Sequence, residues 1–459
     1  MPREVRPNFK GGGMKDSLFA QALVRKLRFG IHPTPNRSPT AALPIRELPL
    51  PERLAVSCAM HFRDPARPVV EKGDAVKFGQ RIAEPSGLLS AAVHAPAAGV
   101  VADIENRITP SGRLAQTILI ETEPSACEPP LAPMDWQTAS PGQLLARVEE
   151  AGIVGMGGAG FPTHVKLAPP PGTTIDTVIL NGAECEPWLT ADNRIMLERA
   201  PDIWAGCRIL RKILGARQIC VDIEENKPGA IKELRKAMDA SPDPYASSRV
   251  CVLHSSYPQG AEKQQIEAVT GRVVPAGGLP RDVGCVVDNA ATALAVFKAV
   301  ALGLPLTHRV ITVSGDAVQS PANVRVPNGT PFSELIAFCG GAKPGLCKLV
   351  AGGPMMGFAQ PDAEASTGKT TYGLLLFSEA LAGRFASTPC VSCGRCVDAC
   401  PMRLLPCEIT QCAEANDIAA AEKLRVSDCY ECGACAWVCP ARRPMVQHIR
   451  RAKAALSKK

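Results

Sequence analysis

The chain has 459 residues, 46% of them hydrophobic, and a net charge of +7, which suits about three domains with real cores. All of the excess charge sits in residues 440–459, where Arg442, Arg443, Arg450, Arg451, Lys453, Lys458 and Lys459 meet no acid. A nucleic-acid binder would carry a broader basic face, so that class is excluded. The best apolar run, 283–306, contains Asp288 and Lys298, and no secretory signal opens the chain, so neither a membrane span nor a leader is expected.

In chain order, residues 1–30 form an extension. Leu18, Phe19, Ala22, Leu23 and Leu27 recur there at helical spacing, beside Arg25, Lys26 and Arg28. Such a helix could dock on a partner or on lipid, or simply lie on the surface. Residues 31–123 read as all-β, because glycines punctuate short β-branched runs in VEKGDAVKFGQRIAE and VHAPAAGVVADIE. This stretch resembles the biotinyl/lipoyl-type barrel sandwich. No lysine occurs between Lys77 and Lys166, so no lipoyl or biotinyl group is expected.

Residues 124–141 are proline-rich and read as a linker. From 142 to 313 helices and strands alternate, beginning with a helix over 142–152. Strands are expected at 177–180, 218–223, 249–253 and 309–313, and helices at 201–214, 229–238, 259–269 and 289–302. The alternation predicts a Rossmann-like α/β domain on a parallel sheet. Residues 314–385 follow as a small α+β module of β-grasp (SLBB-like) type, with a strand and turn at 323–329 and a helix at 331–339.

Within the α/β domain, Gly155, Gly157 and Gly160 match G-x-G-x-x-G. A dinucleotide fingerprint needs a strand before the loop and a helix opening after it. Here a helix precedes and Pro162 follows, so that reading is rejected. What survives is a backbone cradle, in which successive glycines aim amides at an anion and let it come close. Gly158 belongs to it, and Lys166 stands near enough to add charge. A phosphate-bearing cofactor is the natural occupant, and a structural turn is the competing reading. The next strand ends in Asn181, Glu184 and Glu186, where open α/β sheets bind ligands.

Residues 386–445 carry C-x2-C-x2-C-x3-C-P twice, from Cys390 and again from Cys429, 39 residues on. That spacing is the ligand run of a two-cluster ferredoxin, in which the last cysteine of each run serves the other cluster. One [4Fe–4S] cluster is therefore assigned to Cys390, Cys393, Cys396 and Cys439, and the other to Cys429, Cys432, Cys435 and Cys400. A helical two-cluster domain is expected, with Cys407 and Cys412 as bystanders. Residues 446–459 form a basic tail. Val446, Ile449 and Leu456 could make one face of an amphipathic helix that meets lipid or an acidic partner, or the tail is simply solvated. So many unpaired thiols suit a reducing compartment.

The segments GIVGMGGAGFPTHVKL, NGAECEPWLTADNRIMLERA, YPQGAEKQ and GGPMMG, with the two cysteine runs, resemble the C subunit of the Rnf (Rsx) ion-translocating electron-transport complex. The likeness extends from about residue 27 through nearly the whole chain. The glycine loop and the N-x-x-E-x-E-P segment also resemble the flavin subunit of respiratory complex I. The resemblance implies FMN on Gly155, Gly157, Gly158, Gly160 and Lys166, with Asn181, Glu184 and Asn289 around it. It places Phe161, Glu186, Gly260 and Glu262 near NAD(H). It further implies exchange of electrons with ferredoxin through partners, namely the membrane subunits and the ferredoxin-like B subunit, at the cytoplasmic face of the bacterial inner membrane. Two departures stand out. The complex I loop has arginine where Met156 stands, and the start Phe29-Gly30-Ile31-His32-Pro33 is one glycine short of the family pattern. Competing readings are a flavin and iron–sulfur cobalamin reductase of microcompartments and a cluster-bearing docking subunit with no NADH site.

Overall fold

A computed structural model describes residues 29–124, 129–383 and 385–457. The proposed N-terminal helix around Leu18–Leu27 lies outside the described residues. Two antiparallel sheets form the first module. One runs in spatial order Arg53–Ser57, Leu114–Glu123, Ala98–Ile108 and Ala75–Val76, the other Arg67–Pro68, Arg81–Glu84 and Val93–His94. Between them Leu54, Val56, Ile82, Val93, Ile118 and Ile120 make a dry core. This is the sandwich that the glycine-punctuated runs predict.

The second module is a four-stranded parallel sheet in the order Ser247–Leu253, Gln218–Glu224, Thr177–Gly182, Cys285–Asn289. Three of its strands are buried on both faces, as helix-covered parallel sheets require, and the edge strand Ser247–Leu253 is partly exposed. Val178, Leu180, Ile219 and Val221 pack one way, against helices Ala200–Leu214 and Ala290–Ala301. Ile179, Cys220, Cys251 and Cys285 pack the other way, with Ile266 of helix Glu262–Thr270. The two long helices approach so closely that a Cβ on Gly206 would stand 2.0 Å from the Ala293 carbonyl oxygen. The strand Cys285–Asn289 and the helix Ala191–Glu198 are among the elements that escaped the sequence reading. The strand is only five residues long and runs without a loop into helix Ala290–Ala301, which its last residue, Asn289, caps, so no turn separates the two periods.

The third module is a six-stranded sheet ordered Ile45–Glu47, Ala322–Pro327, His308–Ser314, Gly373–Ser378, Leu346–Ala351, Phe358–Gln360, packed on helix Phe332–Phe338. Two of its strands are corrections: His308–Ser314, read from the sequence as a strand of the α/β domain, pairs antiparallel with Ala322–Pro327 in this sheet, and the first strand is the other. Residues 45–47 lie in the stretch assigned by sequence to the barrel, yet they pair in parallel with Asn323–Arg325, and Glu47 meets Arg325 at 2.9 Å.

The last module is helical, with Ile409, Ala413, Ala421, Val426 and Ile449 at its centre. The basic tail does form a helix, Met445–Leu456, but Val446 and Ile449 are already buried on its own domain. The apolar face offered to lipid or to a partner is thus spent internally. The two cysteine runs fold alike. Positive φ angles recur at Ser392 and Glu431 (54° and 60°), Gly394 and Gly433 (77° and 79°), and Arg403 and Arg442 (55° and 52°).

Candidate functional site

The glycine loop hangs beyond the carboxyl edge of the parallel sheet. Its ends are pinned: the Gly155 amide donates to Phe161 O at 2.8 Å and the Met156 amide to Thr292 Oγ1 at 2.9 Å. The amides of Gly157, Gly158 and Ala159 have no partner among the described residues, and Gly157 and Ala159 are exposed. Any Cβ on Gly157 would stand 3.5 Å from Asn289, and one on Gly158 would stand 3.7 Å from Tyr372. The loop is therefore a small open cradle of free donors, which suits a phosphate- or carbonyl-bearing ligand. Its far end meets the barrel, where Phe62 N donates to Gly160 O at 2.9 Å and the Phe161 ring lies 5.9 Å from that of Phe62. Phe161 thus packs against the barrel at this end of the loop.

The other expected residues gather along that edge. Lys166 Nζ donates to Val287 O at 2.7 Å and sits 3.4 Å from Glu262 and 3.5 Å from Asp288. Burial alone would lower its pKa, but the two acids outweigh burial and raise it. The ammonium is thereby fixed, and its charge is shared with those acids. Asn181 donates to Gly260 O at 2.9 Å and accepts from Gln265. Glu184, in the left-handed region at φ 44°, caps helix Ala191–Glu198 by accepting the amides of Asp192 and Asn193 at 2.7 and 3.1 Å. Asn289 Nδ2 donates to Asp192 Oδ2 at 2.6 Å. Glu186 accepts the amides of Met355 and Met356 at 3.1 and 2.9 Å.

Desolvation pushes Glu184 and Glu186 up to about 7. Asp192 adds to the shift of Glu184, while Lys227 and Arg37 oppose it. These carboxyls can therefore hold or release a proton near neutrality. Lys227 donates to Ala183 O and meets Glu224 at 3.2 Å beneath them. Sequence reasoning missed Arg37, Asp192, Glu224 and Lys227, none of which sits in a recognisable motif. Asp192 alone had a signal, since it lies in the quoted segment after Glu186.

The cysteines separate into two places. Cys400, Cys429, Cys432 and Cys435 line one small, almost wholly apolar cavity, the same four that the crossed ligand rule groups. Burial raises the Cys429 thiol to about 11 and that of Cys432 to about 12, so bound iron would have to hold them as thiolates. In the other set Cys396 and Cys439 pack together with Cys407 and touch the first set through Cys435, while Cys393 is exposed. Cys407, read as a bystander, lies within hydrogen-bonding reach of Cys396. No group of three such side chains converges on a single-ion point among the described residues. A cube does not ask for that, because each thiolate takes a different iron. The first thiolate of each run accepts a backbone amide at the same step, Ser392 to Cys390 at 3.4 Å and Glu431 to Cys429 at 3.3 Å.

The inner set is docked on the α/β domain beside the glycine loop. Tyr257 Oη donates to Cys432 O at 2.7 Å, and Gln264 Nε2 donates to Pro401 O at 3.2 Å. Cys185, Tyr257, Met355 and Cys432 share one apolar cluster.

Comparison with known proteins matches the four modules in the same order. The RnfC barrel sandwich hybrid domain matches residues 25–125, the Nuo51 FMN-binding domain 148–298, the SLBB domain 310–359 and the 4Fe-4S dicluster domain 383–440. The C subunit of the proton-translocating ferredoxin:NAD(+) oxidoreductase complex of Clostridium ljungdahlii is 44% identical over 435 residues, 94% of each chain. The chain belongs to the RnfC family. The C subunit of the Na(+)-translocating ferredoxin:NAD(+) oxidoreductase complex of Acetobacterium woodii is 41% identical over 92% of this chain and 95% of its own. The C subunit of an ion-translocating oxidoreductase complex of Rhodobacter capsulatus is 41% identical over 96% and 85%. As in the RnfC reading of the sequence, a barrel precedes the flavin-type domain and a dicluster domain follows the SLBB module. Among the described residues no helix is long and apolar enough to cross a membrane.

Proposed function

We propose that FMN rests on Gly155, Gly157, Gly158 and Gly160, with Lys166, Asn181, Glu184 and Asn289 around it, and that NAD(H) approaches along Phe161, Glu186, Gly260 and Glu262. The chain is an electron-transfer subunit of an ion-translocating ferredoxin:NAD(+) oxidoreductase. A bound flavin exchanges hydride with a nicotinamide and single electrons with iron–sulfur clusters, so it joins two-electron to one-electron chemistry. The residues supply the rest. Unpaired amides of the loop bind the anion, Lys166 is held in place by Asp288 and Glu262, and the buried carboxyls of Glu184 and Glu186 hold a proton beside the site.

The observation that carries this reading is the docking of the inner cysteine cavity on the same sheet edge as the glycine cradle, through Tyr257 and Cys432. Cys400, Cys429, Cys432 and Cys435 hold the inner cluster, and Cys390, Cys393, Cys396 and Cys439 the outer one. The family works as one subunit among several. We assign the membrane subunits and the ferredoxin-like B subunit as partners and the cytoplasmic face as the place of docking. Any ion path lies in those partners, since no described helix can span a membrane.

The Gly157→Asp variant tests the site. Its carboxylate would enter the cradle beside Asn289 and repel an anion. The variant should keep its clusters and its fold, lose FMN and lose NADH oxidation. Full flavin content with full NADH oxidation would place the site elsewhere, and a wild-type chain with clusters but no flavin would favour the docking-subunit reading.

A further inference from the structure

The glycine loop is braced by a cation from another module. Arg309 lies on the strand His308–Ser314 of the SLBB sheet and is 3% exposed. Its Nε donates to Thr371 O at 3.0 Å and its Nη2 to Met156 O, inside the glycine loop, at 3.2 Å. The third arm, Nη1, is buried without a partner. A buried donor of a charged group left unpaired is costly, so such groups ordinarily have acceptors. Burial lowers the Arg309 pKa to about 10, while Asp192 and Tyr372 pull it back up, so the side chain stays a cation at neutral pH.

The same neighbours surround the central glycines. Tyr372 is the group that a Gly158 Cβ would touch at 3.7 Å. Asp192 is bonded to Asn289, which a Gly157 Cβ would touch at 3.5 Å. Arg309, Asp192, Asn289 and Tyr372 therefore stand around Gly157 and Gly158, two of the three residues whose amides are free.

We propose that Arg309 completes the flavin site: anchored by two arms, it offers Nη1 to an anionic oxygen or nitrogen of the FMN bound on the loop. The proposal rests on the reading of the loop as the FMN cradle. It would make the flavin site a joint product of two modules, with the SLBB strand supplying the buried charge that the loop sequence itself lacks at Met156. FMN offers two acceptors of the right chemistry, its phosphate and the pyrimidine edge of its ring, which becomes anionic on reduction.

Binding of FMN and of riboflavin, and the flavin midpoint potential, would be measured in full-length wild type, Arg309→Gln and Arg309→Lys. Thermal unfolding without flavin gives the structural control. Contact with the phosphate predicts FMN binding weakened roughly tenfold or more in Arg309→Gln, with riboflavin binding unchanged. Contact with the ring predicts both flavins weakened alike and a lower midpoint potential, because the reduced anion loses its partner. In either case Arg309→Lys keeps the charge without the fork and falls between. Equal flavin affinities and potential in Arg309→Gln, whatever its melting temperature, would overturn the Arg309 assignment alone. Failure of the wild type to bind flavin would overturn the cradle reading on which it rests.

Discussion

The inner and outer cysteine sets share a sequence pattern, a backbone and a repeat of 39 residues, yet differ in surroundings. The inner set lines an apolar cavity, tied to the α/β domain by Tyr257 and backed by the loop that holds Glu186. The outer set borders solvent, with Cys393, Val391 and Trp437 exposed. A duplicated ligand motif thus acquires direction only from what packs against it. One copy faces the candidate flavin site and the other faces outward.

Removing one ligand on each side should separate the two sets most strongly. Cys432→Ser should cost the inner cluster and, with it, reduction of the outer one by NADH. Cys393→Ser should cost the outer cluster and leave the inner one reducible. Low-temperature electron paramagnetic resonance after NADH addition checks both. Matching behaviour of the two variants would make the two sites equivalent.

A matched glycine pair probes the same contrast through the backbone. Gly394 and Gly433 have φ angles of 77° and 79°. A Cβ on Gly394 would meet nothing within 4 Å, whereas one on Gly433 would stand 2.9 Å from Met355 O. Alanine should therefore cost about 1–2 kcal/mol of backbone strain at either position. At Gly433 it should also push away the Met355–Met356 segment that cradles Glu186. Chemical denaturation should show Gly433→Ala as the more damaged protein, and NADH-dependent cluster reduction should fall only there.

The legible and illegible parts divide on physical grounds. Cysteine spacing, glycine clustering and the alternation of helix and strand are local, so the four modules and their order could be read from the chain. The strand Ile45–Glu47 could not, because its partner lies some 280 residues on and three residues carry no period. Arg309 and Tyr257 were missed as site residues for the same reason. Their partners are backbone carbonyls of Met156 and Cys432, contributed by other modules. The tail helix shows the opposite failure. Its amphipathic pattern was visible, but the pattern does not say whose apolar face it covers.

Tyr257→Phe is the next smaller test. Deleting the hydroxyl leaves the Cys432 carbonyl short of a buried donor, worth about 1–3 kcal/mol. The inner-cluster signal should shift in field and potential while the outer one stays put. A shift confined to the outer cluster would reverse the assignment.

The last test is a pH dependence. Glu186 is held up to about 7 by desolvation, against 4.5 for the free group. Between those values the folded chain binds a proton that the unfolded chain does not. Its contribution to stability is therefore present below about 4.5 and is lost as pH rises through about 7. Each tenfold difference in proton affinity between the two states is worth about 1.4 kcal/mol. Glu186→Gln, which keeps an acceptor for one of the Met355 and Met356 amides and removes the titrating group, should flatten that fall in melting temperature. An unchanged slope would place the Glu186 carboxyl in a solvated setting.

Whether this one chain joins a nicotinamide-reducible flavin to two clusters is decided by anaerobic purification, followed by iron, sulfide and FMN analysis and then NADH addition. The expected result is about eight irons, one FMN, and bleaching of both flavin and cluster absorbance. Full iron with no flavin and no bleaching would contradict that assignment, leaving a pair of clusters and a glycine loop with some other purpose.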